Sequence, residues 1–286
     1  MAERNPAARR SLLLTLPSLG VILLVLVLPL LLMAAFSLWR FVPGKITDYS
    51  LTIANYQRFL LDGFYLGVIG ETMRLGLIVT ALSLILGYPV AFFLARTTSR
   101  WQPVLVYLIF VPMMISLVVR AYGWMVLLGY TGVVNATLGK LGLIAMPLRL
   151  LNSVHAVVLG LVEVLLPFMV IPILAALRDI PPAVEEAARA LGATPRQTFL
   201  RVTLPLSVPG MVSGSLMVFS LTITSYALPA LLGGAKVKMI SGIAYDAMLV
   251  SYNWPFGSAV GIIMVGVSSA LIYFYLRSVP RKAQGL

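Results

Sequence analysis

The chain has 286 residues, 60% of them apolar and only 10% charged, with a mean hydropathy of +1.00. A soluble domain needs a polar shell that this composition cannot supply, so the chain reads as an integral membrane protein. The net charge of +12 does not imply nucleic acid here, because the basic residues gather at the ends of apolar runs, as membrane topology demands. Having no cysteine excludes disulfides and thiolate chemistry, and one histidine with nine acids leaves little for a metal or catalytic centre.

The first element follows Arg9-Arg10. Residues 11–39 carry no charge, which is longer than the roughly 7–15 residues of a signal-peptide core, so the segment is expected to be retained as a helix over 12–38. Five more apolar runs follow at 68–95, 103–128, 154–177, 208–232 and 257–277, each near the ~20 residues that a helical span needs. They lack the strict alternation of barrel strands, so the expected fold is an all-α bundle of six transmembrane helices. Pro29, Pro89, Pro112, Pro167, Pro172 and Pro229 lie inside these runs and mark expected kinks.

With the N-terminus inside, twelve basic residues, among them Arg4, Arg96, Arg178, Arg281 and Lys282, fall in cytoplasmic segments. Seven, among them Lys45 and Lys140, fall outside. Both termini are therefore expected in the cytoplasm. The resulting plan is a cytoplasmic tail 1–11, a first helix 12–38, an extracytoplasmic loop 39–67, a five-helix core 68–277 and a tail 278–286. The core includes a cytoplasmic loop 178–207. No internal repeat is visible, which weighs against an inverted-repeat secondary carrier.

The cytoplasmic loop carries EEAARALGATPRQTFLRVTLPLSVPG over 185–210. Val184, Ala187, Ala188 and Leu191 recur at helical spacing, after Pro181 and Pro182 at the helix start. Glu185 and Glu186 sit at the positive end of this helix, and Glu185 lies four residues before Arg189, the favourable order for an ion pair. Gly192 suits a left-handed cap. Thr194, Pro195 and Gln197 predict a capping box for a second helix, with Phe199 and Val202 on its apolar side and Pro205 as its end. A helix lying on the membrane surface is the alternative, but such helices set bulky apolar residues opposite lysines, whereas this face is small and alanine-rich.

This stretch resembles the signature of the membrane subunits of ABC importers: Glu186-Ala187-Ala188, then Gly192, Val202 and Leu204-Pro205 at the family's spacing, with Val where isoleucine is commonest. ETMRLGLIVTALSLILGYPVAFFLAR, LPFMVIPIL, LLGGAKVKMI and NWPFGSAV are similar to the spermidine/putrescine branch of those permeases. The resemblance implies the type I ABC importer (MetI-like) permease fold in a bacterial inner membrane. It also implies that Glu185, Glu186, Ala187, Ala188, Gly192, Leu204 and Pro205 couple the chain to cytoplasmic ATPase subunits, expected as a dimer. A second homologous permease subunit and an extracytoplasmic binding protein are further implied partners. No phosphate-binding loop occurs, since Gly139-Lys140 lacks the upstream glycine and the following Ser or Thr. The chain is thus expected to bind no cofactor and to be no enzyme, with ATP and Mg on the partner ATPase.

The substrate implied is small and cationic, polyamine-like, with another small nutrient such as an amino-acid derivative or opine-like compound as the alternative. Within the spans, Glu163 is the foremost candidate for the substrate path, because a mid-span carboxylate four residues before Pro167 could attract a cation. Relatives in this branch tend to carry an aromatic residue there. The alternatives are a structural pair with Arg120 or Arg74, or a protonated Glu bonded between helices. Tyr226, Thr222 and Ser225 of the fifth run are further path candidates by family analogy, or else ordinary polar glue between helices, and Arg120 of the third run is a path candidate that otherwise snorkels or pairs. Glu71 and Arg74 predict a local ion pair, and His155 a water-facing helix start with no second metal ligand near it. A self-contained secondary carrier is the remaining rival.

Overall fold

The computed structural model describes residues 6–44 and 48–278. Arg4, Lys45, Arg281 and Lys282, with the outer parts of both expected tails, lie outside the described residues. The chain divides into two compact units, Met1–Tyr65 with Ile243–Val267, and Leu66–Gly242 with Ser268–Leu286.

In the first unit, α1 (Pro6–Ser37) runs unbroken through Pro17 and Pro29. Every side chain from Val21 to Leu26 is more than half exposed, an arrangement that lipid satisfies and water would not. The helix ends on the fully buried Ser37, whose hydroxyl donates to the Ala34 carbonyl at 2.7 Å and shares a hydrogen bond with the Tyr56 hydroxyl at 2.7 Å. An antiparallel pair, β1 (Trp39–Arg40) and β2 (Asp48–Leu51), follows. Asn55 of α2 (Ala54–Leu61) donates to the Ser37 and Trp39 carbonyls, both at 2.9 Å, and so ties the hairpin to the helix end. Phe59, Tyr65 and Phe256 form an aromatic cluster, with the Arg58 guanidinium 4.8 Å above the Phe256 ring.

The second unit holds most of α3 (Gly63–Arg96), followed by α4 (Gln102–Met114), α5 (Leu117–Leu128) and α6 (Val133–Lys140). The expected third span, 103–128, is therefore two helices parted at Ile115 and Ser116, both extended with ψ of 134°. Pro112 lacks an N–H and weakens the last turn of α4, and Ser116 then restarts the ladder by accepting from the Arg120 N–H at 3.1 Å. Pro89, Pro167 and Pro172 stay inside continuous helices.

The core is built on α7 (Val154–Arg178), where Leu161, Met169, Ile173 and Leu177 are at most 1% exposed. After α8 (Pro182–Ala190) and α9 (Pro195–Thr198), α10 (Leu204–Thr224) packs along α7. Gly210 makes that approach possible: a Cβ there would lie 2.6 Å from both the Ala176 Cβ and the Pro172 carbonyl oxygen. The expected fifth span, 208–232, stops at Thr224. There the Thr222 and Thr224 hydroxyls turn back onto the Val218 and Ser220 carbonyls, which loosens the ladder. A wide turn over Pro229–Gly233 then leads to α11 (Ile240–Tyr245). Among the described residues, five helical stretches are long and apolar enough to cross a membrane. The last helix, α12 (Trp254–Ser278), contributes a shorter apolar portion, Trp254–Ala270.

Candidate functional site

The cytoplasmic loop is built by local chemistry. Pro181 is extended and Pro182 occupies the first turn of α8, where a missing N–H leaves nothing unsatisfied. At the other end, the Gly192 N–H reaches the Arg189 carbonyl and the Ala193 N–H the Ala188 carbonyl, at 2.9 and 3.1 Å. These paired bonds close a left-handed cap in which Gly192 has φ of +83°. The capping box at Thr194 and Gln197 is present in both directions, the Gln197 N–H donating to the Thr194 hydroxyl at 3.3 Å and the Thr194 N–H to the Gln197 side chain at 2.8 Å.

Pro205 does not end the second helix. The chain runs from α9 through a wide π-turn, Phe199–Thr203, straight into α10, and Pro205 stands in the first turn of α10. The reason is geometric: a proline ring would strike the carbonyl one α-turn back, and the wider turn moves that carbonyl aside, so that the Leu204 N–H bonds to Phe199 instead. The loop's second helix and the membrane helix are therefore one rod.

The outward face of this loop is uncovered. Leu191 is 89% and Val184 40% exposed, and Glu186 is exposed with no ion pair among the described residues. A shallow hollow of about 310 Å³ lies between the two helices, lined among others by Ala188, Leu191, Gly192, Gln197 and Val202.

Glu185 turns the other way and is 12% exposed. Its Oε1 accepts from Arg96 Nη2 and from the Thr203 hydroxyl, the latter at 2.9 Å, while its Oε2 lies 3.9 Å from Arg189 Nη2. The expected Glu185–Arg189 pair thus exists as the longest and most exposed of its contacts. Arg96 sits at the end of α3, below Tyr88 and Phe92 on one stripe of that helix. Tyr88 shares a buried hydrogen bond with Ser207 at 3.0 Å, and Phe199 packs edge-on against Phe92 and Tyr88 at 5.3 and 6.0 Å. Sequence reasoning missed Arg96, Thr203, Tyr88 and Ser207; the one available signal was the i, i+4, i+8 spacing of Tyr88, Phe92 and Arg96.

Glu163 faces Arg120, Oε1 to Nη1 at 3.1 Å, with side chains 31% and 11% exposed. Glu163 Oε2 and Arg120 Nε are buried without a hydrogen-bond partner. Thr222 is fully buried and its hydroxyl donates to the Val218 carbonyl at 2.7 Å within its own helix. Ser225 and Tyr226 lie in the break after α10, where the Ser225 carbonyl accepts from the Ser241 hydroxyl at 2.6 Å. Glu71 and Arg74 form the expected local pair at 3.3 Å, largely exposed.

Over residues 87–284 the sequence matches the family described as "Binding-protein-dependent transport system inner membrane component". The chain belongs to that family. It is 37% identical over 230 residues to the spermidine/putrescine transport system permease protein PotB of Haemophilus influenzae, covering 80% of each chain. It is 34% identical over 243 residues to the inner membrane ABC transporter permease protein YdcU of Escherichia coli, covering 81% of this chain and 76% of that protein. Among solved structures, a chain of a bacterial alginate ABC transporter, in complex with an alginate pentasaccharide-bound periplasmic protein, superposes with a TM-score of 0.76 at 21% identity, covering 96% of each. The fold is that of an ABC importer permease. As an inner membrane component of such a system, the permease is a transport subunit and not an enzyme, and its partners are of the kinds those importers assemble with.

Proposed function

We propose that this permease lines half of a translocation path whose other half is a second, homologous permease subunit, and that residues 183–203 dock on a dimer of cytoplasmic ATPase subunits that hold ATP and Mg. Both termini lie in the cytoplasm, and an extracytoplasmic binding protein delivers the substrate. The observation that carries this reading is the uncovered outward face of the loop: Leu191, Val184 and Glu186 stand free over a rigid, capped two-helix element that bears the importer signature. Closure of the ATPases would tilt this element, and with it the rod formed by α9 and α10.

The substrate is small and amine-bearing, and polyamine-like on the strength of the PotB relatives, which are spermidine/putrescine permeases. One observation favours a second reading within the same class, an amine that also bears an anionic or hydrogen-bond-accepting group. The Glu163–Arg120 pair is neutral as a unit, and its unmatched atoms are one acceptor and one donor.

Co-purification and stimulated hydrolysis test the docking role. The wild-type chain is expected to bring down a nucleotide-binding subunit whose ATPase rises with the loaded binding protein. Glu186→Ala is expected to stay inserted yet lose that stimulation. A solitary chain that transports without ATP would refute the proposal and support a secondary carrier.

A further inference from the structure

We propose that Glu185, one residue ahead of the Glu-Ala-Ala signature, is the positioning residue that passes movement of the cytoplasmic loop into the membrane helices. The inference rests on reading that loop as the ATPase docking element, and it assigns the connection behind the docking face.

The two adjacent glutamates do opposite things. Glu186 is exposed, whereas Glu185 is 12% exposed and gathers partners from other elements. Arg96 comes from the end of α3, 89 residues earlier, and Thr203 from the π-turn leading into α10, 18 residues later. One carboxylate oxygen therefore joins α8, α3 and the π-turn that runs into α10. Charge-assisted bonds of this kind constrain geometry more tightly than apolar contact does.

The need for such a clasp follows from the loop's construction. Gly192 turns the short link 191–194 between α8 and α9, in a left-handed conformation whose added Cβ would meet nothing within 4 Å, so no neighbouring element packs on the turn at that point. The caps hold α8 and α9 to each other, and Glu185 adds the tie from that element to α3. With Glu185 held, a push on the outward face is delivered to Arg96 and Thr203 together. Along α3 the same stripe continues through Phe92 on Phe199 to Tyr88 on Ser207, so the force enters at two successive turns.

The clasp is poorly suited to stabilising the fold. Desolvating an ion pair offsets most of its attraction, and Arg96 Nε is left buried without an acceptor. A contact so near balance can open and re-form during a cycle, as elements with two discrete arrangements must.

The test uses the whole importer in liposomes: this chain, its companion permease, its ATPase and its binding protein. Readouts are the ATPase retained on purification, the KM for ATP, and the hydrolysis stimulated by binding protein. Glu185→Gln is expected to keep ATPase stoichiometry and KM while stimulated hydrolysis falls on the order of tenfold, a usual size for coupling between sites. Arg96→Gln should act in the same direction. The exchanged pair Glu185→Arg with Arg96→Glu should recover much of the loss, since the Thr203 hydroxyl can accept as well as donate.

Wild-type stimulation in Glu185→Gln would overturn the proposal. So would parallel loss of bound ATPase and of stimulation that the exchanged pair does not recover, because Glu185 would then serve docking or folding alone. Failure of the docking reading itself looks different: the unmutated complex would hold no ATPase.

Discussion

Glu163 and Arg120 each stand inside an apolar run, where a lone charge costs at least ~2.5–3.5 kcal/mol. Their contact at 3.1 Å removes much of that cost, yet each keeps one buried atom unmatched. A pair of this kind is asymmetric under mutation. Removing one partner strands the other, at up to ~3–5 kcal/mol, whereas replacing both by neutral groups is nearly harmless. Glu163→Gln and Arg120→Gln are therefore each expected to lower the melting temperature in detergent, with the double variant close to wild type. Transport separates the roles: Glu163→Gln is expected to weaken uptake of a cationic substrate several-fold with assembly intact. Unchanged kinetics alongside a lowered melting temperature would reduce the pair to a structural tie.

At the scale of elements, the loop and the α7–α10 contact respond to different changes. Gly192→Ala leaves open space around the new methyl but forces φ of +83° on an L-residue, at roughly 1–2 kcal/mol. Thr194→Ala removes the cap of α9 at ~1 kcal/mol. Both are expected to raise amide exchange in 182–203 while leaving α7 protected. Gly210→Val should do the reverse, because its Cβ would strike the Pro172 backbone oxygen at 2.6 Å and so drive α10 off α7. Legibility divides along the same line. Pro182, Gly192, Thr194 and Gln197 act within one or two turns of themselves, and the sequence alone predicted each of their roles. The fusion of α9 to α10 was not legible, because Pro205 reads as a stop unless a π-turn precedes it, and nothing local announces one. The break at Ile115–Ser116 was legible only in part: Pro112 was one of the expected kinks, but Pro89, Pro167 and Pro172 pass through their helices without a break, so the proline alone did not say which span would part. Arg96 and Glu185 are 89 residues apart and meet only once the bundle is packed.

At the scale of the molecule, the orientation rests on the excess of basic residues in the segments taken as cytoplasmic. The sequence offers a clean way to test it, because it contains no cysteine and any introduced thiol is the only one. Leu191→Cys stands on the tip of the loop, 89% exposed, and Leu143→Cys between α6 and α7, 67% exposed. Both sites are open enough that labelling reports sidedness and not burial. A membrane-impermeant maleimide is expected to label Leu191→Cys in inside-out vesicles and Leu143→Cys in right-side-out vesicles. The opposite pattern would invert the orientation and remove the loop from any cytoplasmic partner. Adding the ATPase subunits sharpens the result: Leu191→Cys should become protected while Leu143→Cys stays reactive. Protection at neither site would leave the exposed loop face without its proposed occupant, and protection of Leu143→Cys in right-side-out vesicles, where the loop faces the sealed lumen, would mean that the ATPase coats membranes non-specifically and does not seat on 183–203.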